Sequence, residues 1–159
     1  MSIHFSENII NKIIDKSINQ KPGMKPVGLW YSPATDNHSD WFEWCTSEGY
    51  GLQNLAVKHN ITFPKKVKID DICDSEAILL IDTKTDMIKF HEKFQSSEYK
   101  PIKTIDWPAV AKLYAGIEIT PYQYHFRLKN EYMWYYGWDV ASGCIWRPTQ
   151  DSLIEQIEL

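Results

Sequence analysis

The chain has 159 residues, with 17 Lys+Arg against 21 Asp+Glu and three cysteines, and a length of this order predicts one domain over residues 1–159, with its own core. An apolar fraction of 43% beside 24% charged residues is that of a soluble globular protein, and no apolar run approaches the roughly 20 residues of a membrane helix. The net charge of −4 argues against general affinity for phosphate backbones, and Cys45, Cys73 and Cys144, odd in number and without a C-x-x-C pair, argue against a disulfide framework or a cysteine-rich zinc site.

The start, Met1 to Glu7, has no basic region ahead of an apolar stretch, so no secretory signal is read and a cytoplasmic location is expected. Ile3-His4-Phe5 predicts a short strand. Ser6 then caps a helix in which Ile9, Ile10, Ile13 and Ile14 recur at one-face spacing, until Pro22 and Gly23 break it. Val27 to Ser32 reads as a strand and Pro33 to Ser39 as a loop. Asp40 with Glu43 resembles a capping box, opening a helix that carries Trp41, Trp44 and Cys45 to one side.

Lys66 to Ile69 and Ile78 to Ile81 have strand character. Thr83 with Asp86 caps a helix whose buried stripe is Met87, Phe90 and Phe94, and Asp106 with Pro108 opens another that presents Val110, Leu113 and Tyr114. Gly116 ends it, and Ile117 to Thr120 is a strand. Aromatic and aliphatic residues from 124 to 147 alternate approximately, predicting two or three antiparallel strands, and Asp151 to Ile157 reads as a short amphipathic helix. Strands and helices interleave without a βαβ beat, which makes the class α+β.

The sequence has no phosphate-cradling G-x-x-x-x-G-K-[ST], G-x-G-x-x-G, H-E-x-x-H or G-x-S-x-G. The histidines at 4, 38, 59, 91 and 125 are never three or four apart, so no metal site is expected. Two segments look specified for more than packing. One is Lys25 to Ser32, where a glycine-led strand brings Trp30, Tyr31 and Ser32 to its exit. The other is Gly116 to Tyr122, where Glu118 stands between two β-branched residues, either on a solvated outer face or on the floor of a cleft.

The ordered set His4-Phe5-Ser6, Gly28-Leu29-Trp30-Tyr31-Ser32 and Glu118 resembles the three separated strand motifs of the ADP-ribosyltransferase-like superfamily, and the whole chain has the size of a minimal domain of that fold. The resemblance implies a single, mostly antiparallel split sheet flanked by short helices. It implies NAD as substrate, Glu118 as the catalytic carboxylate, and His4, Ser6, Trp30, Tyr31, Ser32 and Tyr122 as residues that hold the dinucleotide, with no metal. It also implies transfer to a protein or nucleic-acid acceptor in phage–host or toxin-type conflict. Residue 116 is Gly where arginine-modifying members place Glu or Gln, so the acceptor need not be arginine.

The residue types suit that chemistry. Cleaving the nicotinamide–ribose bond develops positive charge on the sugar, as glycoside hydrolysis does, and a fixed carboxylate steadies it. An aromatic face such as Trp30 or Tyr31 holds the flat nicotinamide cation by stacking and cation–π attraction of about 0.5–2 kcal/mol. His4 and Ser6 offer short polar groups to hydroxyls or the amide. Cys144, His125 and Asp139 form a further constellation for nucleophilic catalysis on paper. The rival reading is a non-catalytic protein-interaction module whose aromatic surface, Trp134 and Trp138 included, docks a partner.

Overall fold

The computed structural model of the chain describes residues 1–35, 38–63, 65–97, 101–149 and 152–157. The strands in chain order begin with β1 (Ser2–Ser6), β2 (Leu29–Thr35) and β3 (His38–Ser39), followed by helix α1 (Asp40–Glu48). Then come β4 (Val57–Thr62), β5 (Lys66–Lys68), β6 (Ile78–Ile81), α2 (Lys84–Phe94), β7 (Gln95–Ser96), β8 (Thr104–Ile105), α3 (Trp107–Leu113), β9 (Gly116–Ile119), β10 (Ser142–Ile145) and β11 (Leu153–Ile157). Short 3-10 helices lie at Leu52–Leu55, Tyr124–Phe126 and Asn130–Trp138. Among the described residues no helix is long and apolar enough to cross a membrane.

These elements make one α+β domain around a sheet ordered β11-β4-β1-β2-β10-β9-β6-β5, with β3 beside β2. Pairing is antiparallel from β11 to β9 and parallel across β9, β6 and β5. The parallel part is where the strands are near-continuously apolar, Ile78-Leu79-Leu80-Ile81 and Gly116-Ile117-Glu118-Ile119, as burial on both faces demands. A parallel β6–β9 pair needs a long crossover, and α2 and α3 provide it. Both have the expected caps: Thr83 Oγ1 accepts from Asp86 N at 3.1 Å, and Asp106 Oδ1 accepts from Ala109 N at 3.1 Å.

One sheet face carries Val67, Leu79, Ile81, Ile117, Ile119 and Cys144 against Met87, Phe90, Phe94, Trp107 and Val110 of the helices and Trp134, Tyr135 and Trp138 of the third 3-10 helix. The other face carries Tyr31, Ile61, Ile78 and Ile145, covered by Ile13 and Ile14. A smaller cluster of Ile3, Phe5, Ala34, Cys45 and Leu55 packs Trp41 and Trp44 beside it.

Several expectations are corrected. Residues 7–22 contain no helix. Their backbone is claimed by distant partners instead, with Ile10 N donating to His59 Nε2 at 3.0 Å and Ile18 N to the Trp146 carbonyl at 2.7 Å. Pro33 to Thr35 continue β2 and His38–Ser39 form β3, so the predicted loop is a strand hairpin apart from Asp36 and Asn37, which lie outside the described residues. The cap of α1 is Ser39, whose Oγ accepts from Phe42 N at 3.4 Å, one residue ahead of the expected Asp40. The stretch 124–147 has one strand, β10, after two 3-10 helices. Residues 153–157 form an edge strand on β4, which the sequence reading missed, and Asp151 lies outside the described residues.

His91 is buried, with Nδ1 accepting from Trp134 Nε1 at 3.1 Å, so the ring must be neutral there. Burial lowers the pKa of His91, and burial likewise lowers that of His59, which also accepts a backbone N–H. The unfolded chain therefore takes up these protons first. The stability they give is present above about pH 6.5 and lost as pH falls through that value toward the folded-state value. The urea midpoint is expected to drop between about pH 7.5 and pH 5 and to drop less in His91→Asn, which keeps an acceptor for the indole. An equal drop in that variant would remove His91 from the account.

Candidate functional site

β1 and β4 pair along all five residues of β1, whereas β1 and β2 pair only at Ser2↔Pro33 and Ile3↔Ser32. Beyond Ile3 the two strands fork, and a side chain bridges the gap: His4 Nδ1 donates to the Trp30 carbonyl at 2.6 Å. A cavity of about 310 Å³ opens at this fork, near the lower end of small-molecule sites. β1 supplies Ile3, His4 and Phe5; β2 supplies Trp30, Tyr31 and Ser32; Ser142 of β10 and Trp138 close the inner side. Trp41 of α1, Tyr50, Asn54 and Lys25 complete the wall. The cavity therefore lies where two core clusters meet, one containing Trp30 and Trp138, the other Ile3, Phe5 and Trp41.

Aromatic rings dominate the lining. Trp30 and Trp138 meet edge-on with centroids 4.9 Å apart, and Trp41 stacks on Trp44 at 5.3 Å with Tyr50 edge-on to both. Such walls hold flat apolar or cationic rings. The polar groups are few. His4 uses Nδ1–H on a carbonyl, so in the neutral ring Nε2 is an acceptor. Burial pushes His4 below the ordinary imidazole value, the Trp30 hydrogen bond opposes that, and neighbouring His59 adds to it. Ser32 Oγ donates to backbone carbonyls at 3.3–3.4 Å.

Of the residues predicted to hold NAD, His4, Trp30, Tyr31 and Ser32 border this one cavity, and Ser6 and Tyr122 do not. Ser6 ends β1 with its hydroxyl on the Asn8 carbonyl at 2.6 Å. Tyr122 stacks on Tyr135 at 5.2 Å and packs against the large core. Its phenol is pushed up to about 12, first by burial.

Glu118 stands apart from the cavity lining and is 1% exposed, on neither the solvated face nor the open cleft floor that the sequence suggested. Side chains alternate along β2, so Trp30 and Ser32 face the cavity side while the Tyr31 ring turns to the other. There Tyr31 pairs with Gly143, which pairs with Glu118, and Tyr31 Oη donates to Glu118 Oε2 at 2.8 Å. Lys66 Nζ meets the same oxygen at 2.7 Å. The phenol spans a whole strand because Gly143 has no side chain: a Cβ there would lie 2.2 Å from Tyr31 Cζ. Burial first, then the Glu118 charge and hydrogen bond, hold the Tyr31 phenol well above its usual range.

Other sequence candidates are moved. Cys144 is fully buried in the large core, its thiol raised by burial, while His125 is exposed against Lys129 Nζ, so the Cys144, His125 and Asp139 constellation does not assemble on an accessible nucleophile. Trp134 and Trp138 are core residues and cannot be the exposed docking aromatics of the rival reading. Among the described residues no group of three or more His, Cys, Asp or Glu is arranged to hold a metal ion. Comparison of the chain with family models, with curated proteins and with solved structures finds no match.

Proposed function

We propose that the chain binds NAD at the β1–β2 fork and transfers its ADP-ribosyl group to a protein or nucleic-acid acceptor. The observation that carries this reading is the meeting of His4, Trp30, Tyr31 and Ser32, drawn from two segments some 25 residues apart, around one aromatic-walled cavity, with the Tyr31 hydroxyl on Glu118. In the reaction the bond between the ribose carbon and the nicotinamide nitrogen breaks, and its electron pair leaves with nicotinamide. The acceptor's nucleophile bonds to that carbon and gives up a proton. Trp30 and the rings around it suit the nicotinamide face, and Glu118 is the carboxylate that steadies the sugar's developing charge. Glu118 and the Tyr31 ring lie on the sheet face opposite Trp30 and Ser32, so this reading requires the Tyr31 contact to break and strands β2 and β10 to part for the carboxylate to reach a sugar held in the cavity.

A specific observation favours a second reading. Glu118 is already satisfied by Tyr31 and Lys66, as a structural carboxylate would be, which suits a module that holds a ligand without cleaving it. Incubating the protein with labelled NAD and cell lysate separates the two. Label on a macromolecule with nicotinamide released in proportion is the expected result; NAD binding without release supports the second reading; no transfer, no release and no binding defeats both.

A further inference from the structure

Helix α1 has nine residues, three of them large aromatics, yet it buries only Cys45. Trp41 and Trp44 stack with their planes 15° apart and stay half-buried, and Phe42 between them is 39% exposed. The chain leaves the helix through Gly49 and Gly51, both at positive φ, 65° and 57°. That reversal brings Tyr50 back edge-on to both indoles, where its ring is 60% exposed. Large rings left open together, among polar neighbours, mark an interaction surface. Its charge is equally one-sided. The stretch between Lys25 and Lys58 holds Asp36, Asp40, Glu43 and Glu48 and no Lys or Arg, so it alone carries the net charge of −4; the other 17 acidic residues balance the 17 Lys+Arg. Asp36 lies outside the described residues, and the other three acids are exposed on α1. Trp41 and Tyr50 also line the cavity at the fork, so the aromatic ridge and the cavity share a wall.

We infer that the Trp41–Trp44–Tyr50 ridge docks an arginine-bearing segment of a partner protein. A guanidinium is the cation that suits both halves of this surface, since it stacks on aromatic faces and pairs in fork geometry with carboxylates. A nucleic acid also has rings to stack, but its phosphates meet the most acidic part of the chain. A segment held on the ridge lies against the wall of the cavity, which makes the acceptor of the ADP-ribosyl group a protein. That assignment of the acceptor rests on the NAD reading above; the docking rests only on the ridge and its charge.

The test is fluorescence anisotropy of the intact protein, without NAD, against labelled short peptides on one Gly/Ser framework that carry Arg, Lys or Gln, and against a labelled single-stranded oligonucleotide. The arginine peptide is expected to bind about threefold tighter than the lysine peptide and about tenfold tighter than the glutamine peptide. Tyr50→Ser should weaken it about fivefold and Glu48→Gln about threefold, whereas Glu76→Gln, an exposed acid ahead of β6 toward the other edge of the sheet, should leave it unchanged. Equal binding of the arginine and glutamine peptides, an oligonucleotide that binds tighter than the arginine peptide, or an affinity unmoved by Tyr50→Ser overturns the inference. Should Tyr50→Ser melt early, the two charge variants decide: a loss confined to Glu48→Gln upholds the ridge, and equal losses in both reduce the binding to general charge attraction and overturn it. A separate titration with NAD keeps the two readings apart. If NAD fails to bind, the ADP-ribosyl reading falls and the peptide result stands; if NAD binds and no peptide does, the docking falls alone.

Discussion

Replacing Gly143 with alanine is expected to lower the stability of the fold by about 3 kcal/mol, near the upper end of what overpacking one site costs. The added methyl would lie 2.2, 2.4 and 2.6 Å from Cζ, Oη and Cε1 of Tyr31. That phenol cannot simply swing away. It is buried, packed on Phe63 with centroids 4.8 Å apart, and tied to Glu118. Either the ring leaves Glu118 with one fewer partner on a buried carboxylate, or strands β2 and β10 shift apart and weaken their ladder. Urea unfolding measures the loss, and a double-mutant cycle identifies its cause. Tyr31→Ala should recover part of the stability in the Gly143→Ala background, because it removes the collision, whereas alone it should destabilise by leaving a cavity. A Gly143→Ala variant within about 1 kcal/mol of the parent would show that Tyr31 does not cross the glycine.

The second large effect concerns Glu118. In Glu118→Gln the amide oxygen still accepts from Tyr31, but the charge that meets Lys66 and that the proposed reaction uses is gone. ADP-ribosyl transfer is expected to fall about 10²–10³-fold, the loss typical when one electrostatic stabiliser of the transition state is removed. NAD affinity should change by no more than about threefold, since Glu118 does not line the cavity. The measurement is nicotinamide release under single-turnover conditions beside calorimetric binding, so that binding and chemistry are read separately. Transfer that persists at the parental rate would assign Glu118 to the fold, with Tyr31 and Lys66 as its structural partners. The fold itself should survive, because the isosteric amide leaves volume and one hydrogen bond in place.

Much of the architecture is legible in local chemistry. Thr83 with Asp86 and Asp106 with Pro108 mark helix starts because the side-chain acceptor and the first-turn donors are near neighbours in sequence. Ile78 to Ile81 and Ile117 to Ile119 read as strands because a run buried on both faces is apolar throughout, and the carboxylate that interrupts the second run is satisfied by residues 87 and 52 positions away. Where the reading fails, distant partners decide. The isoleucines at 9, 10, 13 and 14 have helical spacing, yet Ile9 is 56% exposed and Ile13 is buried on the sheet, because the backbone of the segment bonds to His59 and Trp146 instead of to itself. Leu153 to Ile157 has a pattern that fits a helix equally well and is drawn into a strand by the open edge of β4, which needed a partner.

The candidate site divides the same way. His4, Trp30, Tyr31 and Ser32 are found from short motifs on two strands that become neighbours. Lys25, Trp41, Tyr50, Asn54 and Trp138 reach the cavity from a loop, helix α1, the chain just after it and two 3-10 helices, and no spacing in the sequence announces that they converge. Tyr122 shares a segment with Glu118 but follows the chain past the end of β9 and stacks on Tyr135 in the large core, away from the cavity lining. Trp138 is the instructive case, since its membership of an aromatic-rich stretch suggested a surface while its ring closes the inner side of the cavity.

The seven indoles make the central claim directly observable. Titrating ¹⁵N-labelled protein with NAD and following the indole N–H signals reports each tryptophan separately. If NAD occupies the fork, the signals of Trp30, Trp41 and Trp138 move together and saturate at one affinity, while those of Trp107 and Trp146, whose N–H groups donate to the carbonyls of Gly23 at 3.1 Å and Tyr114 at 2.9 Å, stay in place. Three unmoved cavity signals at a concentration of NAD that shifts others, or no shift anywhere, would contradict it.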